Sequence, residues 1–244
     1  IRTSPEYPVL IDQFLGGAVE VDVDLISDGE NTEIGGILEH IELAGIHSGD
    51  SASVIPPHSL SKKIRGELER QSKLLAQSLQ VKGLMNIQFA IKGDEIYVLE
   101  VNPRASRTVP FVSKSIGHPL AKYATRLMLG TQLEELNYTY FQPDKFSIKE
   151  MVFPFVRFAG VETELGPEMK SIGEVMGRGA NVHEAFLKAQ TAALSSDLKQ
   201  GAVFIGVLDQ DKPSMVPIAR KLIRAGYPIL ATTGTYRFLK SNGI

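Results

Sequence analysis

The stretch from Asn86 to Val101 alternates polar and apolar residues on both sides of Gly93-Asp94-Glu95, and an antiparallel hairpin is the local fold that satisfies this pattern. A three-residue loop with glycine free to take a positive φ pairs Lys92 with Ile96 and Ala90 with Val98. Continued outward, that register sets Gln88 opposite Glu100 and Asn86 opposite Asn102. These polar groups share one face, while Ile87, Phe89, Ile91, Tyr97, Leu99 and Val101 form an apolar face ready for burial against helices. A two-residue loop would shift the register and split Gln88 from Glu100, so the separation of faces favours the longer loop.

The hairpin runs into Glu100, Asn102, Arg104 and Arg107. One carboxylate and the side-chain amide oxygens of Gln88 and Asn102 suit Mg²⁺ bound to polyphosphate, because Mg²⁺ takes hard oxygen ligands, few of them carboxylates, and completes its shell with water and phosphate. Arg104 and Arg107 lie just beyond, where forked donors neutralise an acidic substrate or a phosphoryl group in transfer. The competing reading is a sheet edge carrying solvated charges.

The chain has 244 residues, room for one or two domains with real cores. Its composition, 43% hydrophobic and 22% charged, is that of a globular protein, and no apolar run approaches a membrane span. A net charge of −2 leaves no electrostatic footprint for nucleic acid. Cysteine is absent, which excludes disulfides, thiolate metal sites and a cysteine nucleophile within these residues. No nucleic-acid partner and no membrane are expected, and the cytoplasm is the default location. The opening "IRTSPEYPVLIDQFL" and the close "YRFLKSNGI" both read as cuts inside a longer polypeptide.

Pro8 to Leu15 is a strand candidate. Ala18 to Leu25 alternates, with Val19, Val21, Val23 and Leu25 on one face and Glu20, Asp22 and Asp24 on the other, and Thr32 to Glu42 resumes as a strand after a turn at Asp28-Gly29. Leu43 to Ser59 is a small-residue loop whose glycines let the backbone approach a ligand, with His47 and Ser48 beside the acidic face. Ser61 caps a helix that buries Ile64, Leu68, Leu75 and Leu79; Pro119 opens another bearing Leu120, Ala124, Leu127 and Met128, stopped by Gly130. Residues 133–179 yield turns and short strands without a clear pattern, and Val182 to Leu198 reads as a helix. After Gly201 the order strand, helix, strand, helix predicts a parallel, doubly wound sheet that continues past the last residue. Ligands collect at the carboxyl ends of such strands. There Lys212 and the run Thr232-Thr233-Gly234-Thr235 offer a phosphate cradle, with Lys212, Thr232 and Thr235 as the binding side chains; plain helix capping is the alternative.

"EVDVD", "GGILEHIELAGIHSGDSA", "GLMNIQFA", "LEVNPRASRTVPFVSK" and "GPEMKSIGEVMG" together make the whole chain resemble the large subunit of carbamoyl phosphate synthetase. The fold class this implies is α/β: an α+β ATP-grasp portion followed by a truncated, doubly wound parallel domain. Residues 1–137 correspond to the later part of the second ATP-grasp unit, 138–200 to a connecting segment with a helix, and 201–244 to the start of an allosteric domain like methylglyoxal synthase. The implied reaction is ATP-dependent phosphorylation of carbamate within glutamine-dependent carbamoyl phosphate synthesis, serving arginine and pyrimidine biosynthesis.

Carried over residue by residue, the resemblance places Gln13 and Leu15 beside adenine and Glu20 on the nucleoside hydroxyls. It lines the nucleotide with Gly45, Ile46, His47 and Ser48, gives Gln88, Glu100 and Asn102 to Mg²⁺ or Mn²⁺, and gives Arg107 with Arg104 to carbamate. His40, Glu42, Asp50 and Glu150 match a region for K⁺ and the ornithine effector, and the last domain would answer to nucleotide monophosphates. A small glutamine amidotransferase subunit is the implied ammonia-supplying partner, consistent in role with the missing cysteine. The family's glycine-rich lid would precede Ile1, so this segment alone is expected to be inactive. The rival readings are another ATP-grasp carboxylate-amine ligase or carboxylase, and a regulatory binding module attached to an inert ligase remnant.

Overall fold

A computed structural model describes residues 11–157, 160–194 and 201–244. The chain divides into two compact units, Ile1–Ser195 and Ser196–Ile244.

The first unit is built on a sheet whose seven strands all pair antiparallel. They are β1 (Val19–Asp28), β2 (Thr32–His40), β3 (Ser53–Ile55), β4 (Lys82–Lys92), β5 (Glu95–Asn102), β6 (Phe146–Val152) and β7 (Gly173–Gly179). Their spatial order is β5-β4-β1-β2-β3-β6-β7. The strict alternation in β1 decides what each face does. Val21, Val23 and Leu25 join Ile37, Met85, Ile87 and Phe89 in a core covered by Ile64, Leu68 and Ala76 of α1 (Lys62–Ser78). Burying each large aliphatic or aromatic chain there stabilises the fold by roughly 1.5–3 kcal/mol. Helix α1 begins where Ser61 Oγ accepts the Ile64 N–H at 3.2 Å.

On the opposite face, Ile26, Leu38 and Ile55 pack under α2 (Val109–Ile116) and α3 (Leu120–Met128), leaving the Glu20–Asp24 end of β1 for polar chemistry. Helix α4 (Val182–Leu194) lies on β6 and β7 through Ala185 and Ala189. Gly177 and Gly179 make that contact possible: a Cβ on Gly177 would stand 2.0 Å from Ala185 O, and one on Gly179 would stand 2.6 Å from Ala185 N. The stretch 133–179, which has no clear pattern in the sequence, therefore supplies two strands, β6 and β7, to the first unit, and the helix expected from Val182 packs on them as α4.

The hairpin is tighter than the sequence reading has it. Lys92 pairs with Glu95 and Ala90 with Tyr97, so the turn has two central residues, with Gly93 at φ +62 as a type II′ turn requires at its first position. A bulge between Gln88 and Phe89 on the β4 side takes up one extra β5 residue, and Gln88 regains Glu100, as Asn86 regains Asn102. The expected polar pairs form, by a turn and a bulge in place of a longer loop. The expected apolar face is only half covered: Tyr97 and Leu99 are 36% and 49% exposed, because β5 is the edge strand.

Other expectations shift in detail. Within the described part of the Pro8–Leu15 candidate, Ile11–Leu15 is irregular, not strand. The 43–59 loop contains β3, and the strand begun at Thr32 ends at His40. Leu79 and Met128, assigned to buried helix faces, are exposed; Leu75 is partly buried. The end of the Val182–Leu198 helix lies outside the described residues beyond Leu194.

In the second unit, β8 (Val203–Ile205) runs parallel to β9 (Ile229–Ala231), with α5 (Lys212–Arg224) between them and α6 (Thr233–Ser241) after. Ile205, Ala219 and Leu239 form its buried centre. This is the parallel strand-helix order expected after Gly201.

Candidate active site

Two polar rows cross the first sheet. Gln88 stands between Asp22 on β1 and Glu100 on β5, and Asn86 stands between Asp24 and Asn102. Both rows open into a cleft of about 730 Å³ that is also lined by His47, Ser48, Arg104, Arg107, Lys149 and Glu174. Gln88 Nε2 donates to Ser48 Oγ at 3.0 Å, which leaves its carbonyl oxygen as an acceptor. Glu100 is exposed and has no hydrogen-bond or ion-pair partner among the described residues. Asn102 Oδ1 accepts from Arg104 at 3.1 Å. Arg107 reaches Met169 Sδ.

The donor set fits Mg²⁺ held largely by water and phosphate: one uncommitted carboxylate and one free amide oxygen face each other across the bulge, with the second amide oxygen one row away. No cluster of three His, Asp or Glu side chains of the kind that makes an all-protein metal cage occurs among the described residues.

Behind the open donors lies a closed network. Asp24, fully buried, accepts from Asn86 Nδ2 at 3.0 Å, Ser106 Oγ at 2.7 Å and Thr108 Oγ1. Burial raises its carboxyl to about 6 against the pull of the Thr108 and Ser106 hydroxyls. His40 Nε2 meets Asp22 Oδ2 at 2.7 Å, while its Nδ1 stands 3.6 Å from Glu20 Oε2, beyond hydrogen-bond reach. Burial disfavours both charges in this pair, but mutual hydrogen bonding and attraction outweigh it, holding Asp22 below and His40 above its ordinary value. Lys149, buried and donating to Ser48 O at 3.2 Å, is pushed down by desolvation despite nearby Asp22.

Of the residues expected at the site, His47, Ser48, Gln88, Glu100, Asn102, Arg104 and Arg107 line this one cleft. Glu20 accepts the Gly45 N–H at 3.0 Å, tying the 45–48 loop, Ile46 included, to β1. Gln13 and Leu15 lie on the irregular entry segment, away from the cleft lining. Asp50 is committed to the Lys170 and Ser171 backbone N–H groups at 2.7 and 2.9 Å. Burial raises both Glu42 and Glu150, and each sits close enough to matter: Glu42 adds to the rise at Glu150, and His40 opposes the rise at Glu42. In the second unit, Thr232 Oγ1 donates to Thr235 Oγ1 at 3.0 Å, and Lys212 Nζ lies 3.2 Å from where a Gly234 Cβ would be. The anchoring role of Asp24 and the presence of Lys149, Met169 and Glu174 in the cleft were missed from the sequence. The polar phase of "EVDVD" marks Asp24; nothing local marks the other three.

Residues 3–136 match the family described as carbamoyl-phosphate synthase L chain, ATP binding domain. The chain belongs to this family. Residues 214–244 match the MGS-like domain. The carbamoyl phosphate synthase large chain of Pasteurella multocida is 55% identical over 245 residues, covering all of this chain and 23% of the relative. The C-terminal section of the large chain from Aquifex aeolicus is 50% identical over 261 residues, again covering all of this chain and 49% of that relative. The chain thus spans about a quarter of the full-length synthase large chains it matches. Among solved structures, the biotin carboxylase domain of a single-chain bacterial carboxylase superposes with a TM-score of 0.57 at 19% identity, over 73% of this chain and 47% of that one. The K. lactis urea amidolyase gives 0.58 at 17%, over 73% and 12%. At that identity these two speak for the fold alone. They place the carbamoyl-phosphate synthase unit on a carboxylase-like α/β architecture.

Proposed function

We propose that this chain is the part of a carbamoyl phosphate synthase that phosphorylates carbamate with ATP and passes regulatory signals to that step. The observation that carries the reading is the meeting of Gln88, Glu100 and Asn102 with Arg104 and Arg107 in one cleft. Glu100, Gln88 and Asn102 would hold Mg²⁺ or Mn²⁺. The metal supplies charge neutralisation on the nucleotide phosphates. Arg107, with Arg104, holds the carbamate anion and orients an oxygen toward the γ-phosphorus. As that oxygen bonds to phosphorus, the bond to ADP breaks, leaving carbamoyl phosphate and ADP. The 45–48 loop and Glu20 border the nucleotide, and the entry segment with Gln13 and Leu15 borders its base. Positioning and electrostatics supply most of the catalysis in such transfers.

The same reading has carbamate arise from bicarbonate and from ammonia delivered by a glutamine amidotransferase subunit, in the cytoplasm. Among the described residues, no helix is long and apolar enough to cross a membrane. His40, Glu42, Asp50 and Glu150 form the K⁺ and ornithine region; of these, the closeness of Glu42 and Glu150 suits a cationic amine. Lys212, Thr232 and Thr235 take a nucleotide monophosphate at the carboxyl ends of β8 and β9. Residues 1–137 carry the proposed metal and carbamate donors, 138–200 connects them to the rest and also supplies Lys149 and Glu174 to the cleft, and 201–244 acts as the effector portion.

The test is Arg107→Ala in the full-length enzyme. Carbamoyl phosphate synthesis is expected to fall at least 100-fold with MgATP affinity kept within a factor of 3; synthesis within a few-fold of wild type would remove carbamate from this cleft.

A further inference from the structure

Arg107 is exposed, on a short connection between β5 and α2, and such a segment has little reason to hold a long side chain in one place. Its two neighbours are fixed. Ser106 Oγ and Thr108 Oγ1 both donate to Asp24, 82 and 84 residues earlier on β1, and the two hydroxyls lie 2.7 Å apart. The third donor, Asn86, belongs to the central strand β4, so the carboxylate is itself held by the sheet. An ionised carboxylate offers about four lone-pair sites and accepts only, which lets one group receive all three donors. Thr108 stands at the N-cap of α2 and makes no side-chain cap bond; the bond its hydroxyl proton makes is to Asp24.

We propose that Asp24 is the positioning residue of this site: through Ser106 and Thr108 it grips both sides of Arg107 and fixes where the guanidinium meets the anionic substrate. The proposal rests on the reading of Arg107 as the carbamate-binding cation. Asp24 touches neither substrate nor metal donors; it acts through the backbone of the 106–108 segment. The burial of a carboxylate at full depth, which desolvation disfavours, is then the cost of a rigid clamp.

The experiment uses the full-length synthase and the reverse step, phosphoryl transfer from carbamoyl phosphate to ADP. Asp24→Ala is expected to raise the KM for carbamoyl phosphate about 10-fold while the KM for MgADP changes less than 2-fold. Asp24→Asn should come back to within 3-fold of wild type, because its amide can accept from Ser106 and donate to Thr108. In case Asp24→Ala does not fold, Ser106→Ala loosens the same clamp from the loop side and should raise the carbamoyl phosphate KM several-fold with the melting temperature retained. In an Arg107→Ala background, Ser106→Ala and Asp24→Ala should add nothing further. Equal loss for both substrates, or full additivity with Arg107→Ala, would show a merely structural aspartate and overturn the proposal. If Arg107→Ala alone leaves the carbamoyl phosphate KM unchanged, the carbamate reading falls and takes the proposal with it; if Arg107→Ala acts but the clamp variants do not, only the proposal falls.

Discussion

Asp22 and His40 are adjacent buried partners, 2.7 Å apart, whose charges oppose burial and survive it. Their linkage to stability has a definite window. The raised imidazole value of His40 contributes stability that is complete below its ordinary value near 6.5 and is lost as pH rises through the folded value. The lowered carboxyl value of Asp22 contributes stability present above its ordinary 3.8 and lost as pH falls through the folded value. The pair therefore contributes fully between those two ordinary values. His40→Gln should destabilise the fold by about 3 kcal/mol at pH 5.5, as breaking a buried pair does, and by clearly less at pH 9; denaturant melts at the two pH values decide it, and a constant difference would refute it. At this scale the sequence showed the open donors of the cleft plainly, because Gln88, Glu100, Asn102 and the arginines lie within one hairpin and its exit. It did not show Asp24 gripping Ser106 and Thr108. That contact depends on strand β1 lying beside β4, which no local pattern in residues 18–28 specifies.

Elements differ in how much of their cause is local. Helix α1 was readable from Ser61 to its apolar stripe, since cap and period sit in the same 18 residues. Strand β1 was readable from alternation. Strands β3 and β7 were not: β3 is three residues inside a small-residue loop and runs straight into two prolines, and "GEVMGRG" carries three glycines that ordinarily speak against a strand. Gly177 and Gly179 have a tertiary reason, the backbone of α4 pressing on β7. Gly177→Ala should lift α4 from the sheet and destabilise the unit by roughly 2–3 kcal/mol, in the range of overpacked cores. Hydrogen exchange in Val182–Leu194 reads it, and protection equal to wild type would show that the helix has room to move. The hairpin teaches the same lesson in reverse. Its polar pairing was legible from side-chain pattern, whereas the two-residue turn and the compensating bulge are backbone solutions that several registers could have reached.

At the scale of the whole molecule, two units with separate cores carry two proposed roles, catalysis in one and effector binding in the other. Thr235 is buried, accepts from Thr232 and receives the Val207 N–H at 3.4 Å, so it holds the ends of β8 and β9 together, beside its proposed role toward the phosphate. Any effect of an effector on ATP use must come from its different affinity for two arrangements of the full enzyme. In the full-length protein, Thr235→Ser, which keeps the hydroxyl, should retain nucleotide inhibition, and Thr235→Val should weaken nucleotide binding about 10-fold with effector-free turnover within 2-fold of wild type. Calorimetric titration checks this, and unchanged affinity in Thr235→Val would leave the threonine with a structural role alone.

The central claim is that the Gln88–Glu100 row of the first sheet is where phosphate is transferred to and from carbamate. Its most direct measurement is the rate of ATP formation from ADP and carbamoyl phosphate by the full-length Glu100→Gln enzyme at fixed Mg²⁺, because that half-reaction reads the carbamate step by itself. The amide keeps the shape of the side chain and removes the one uncommitted carboxylate among the proposed metal donors. The rate is expected to fall at least 100-fold with the fold intact by circular dichroism. A rate within a few-fold of wild type would contradict the claim.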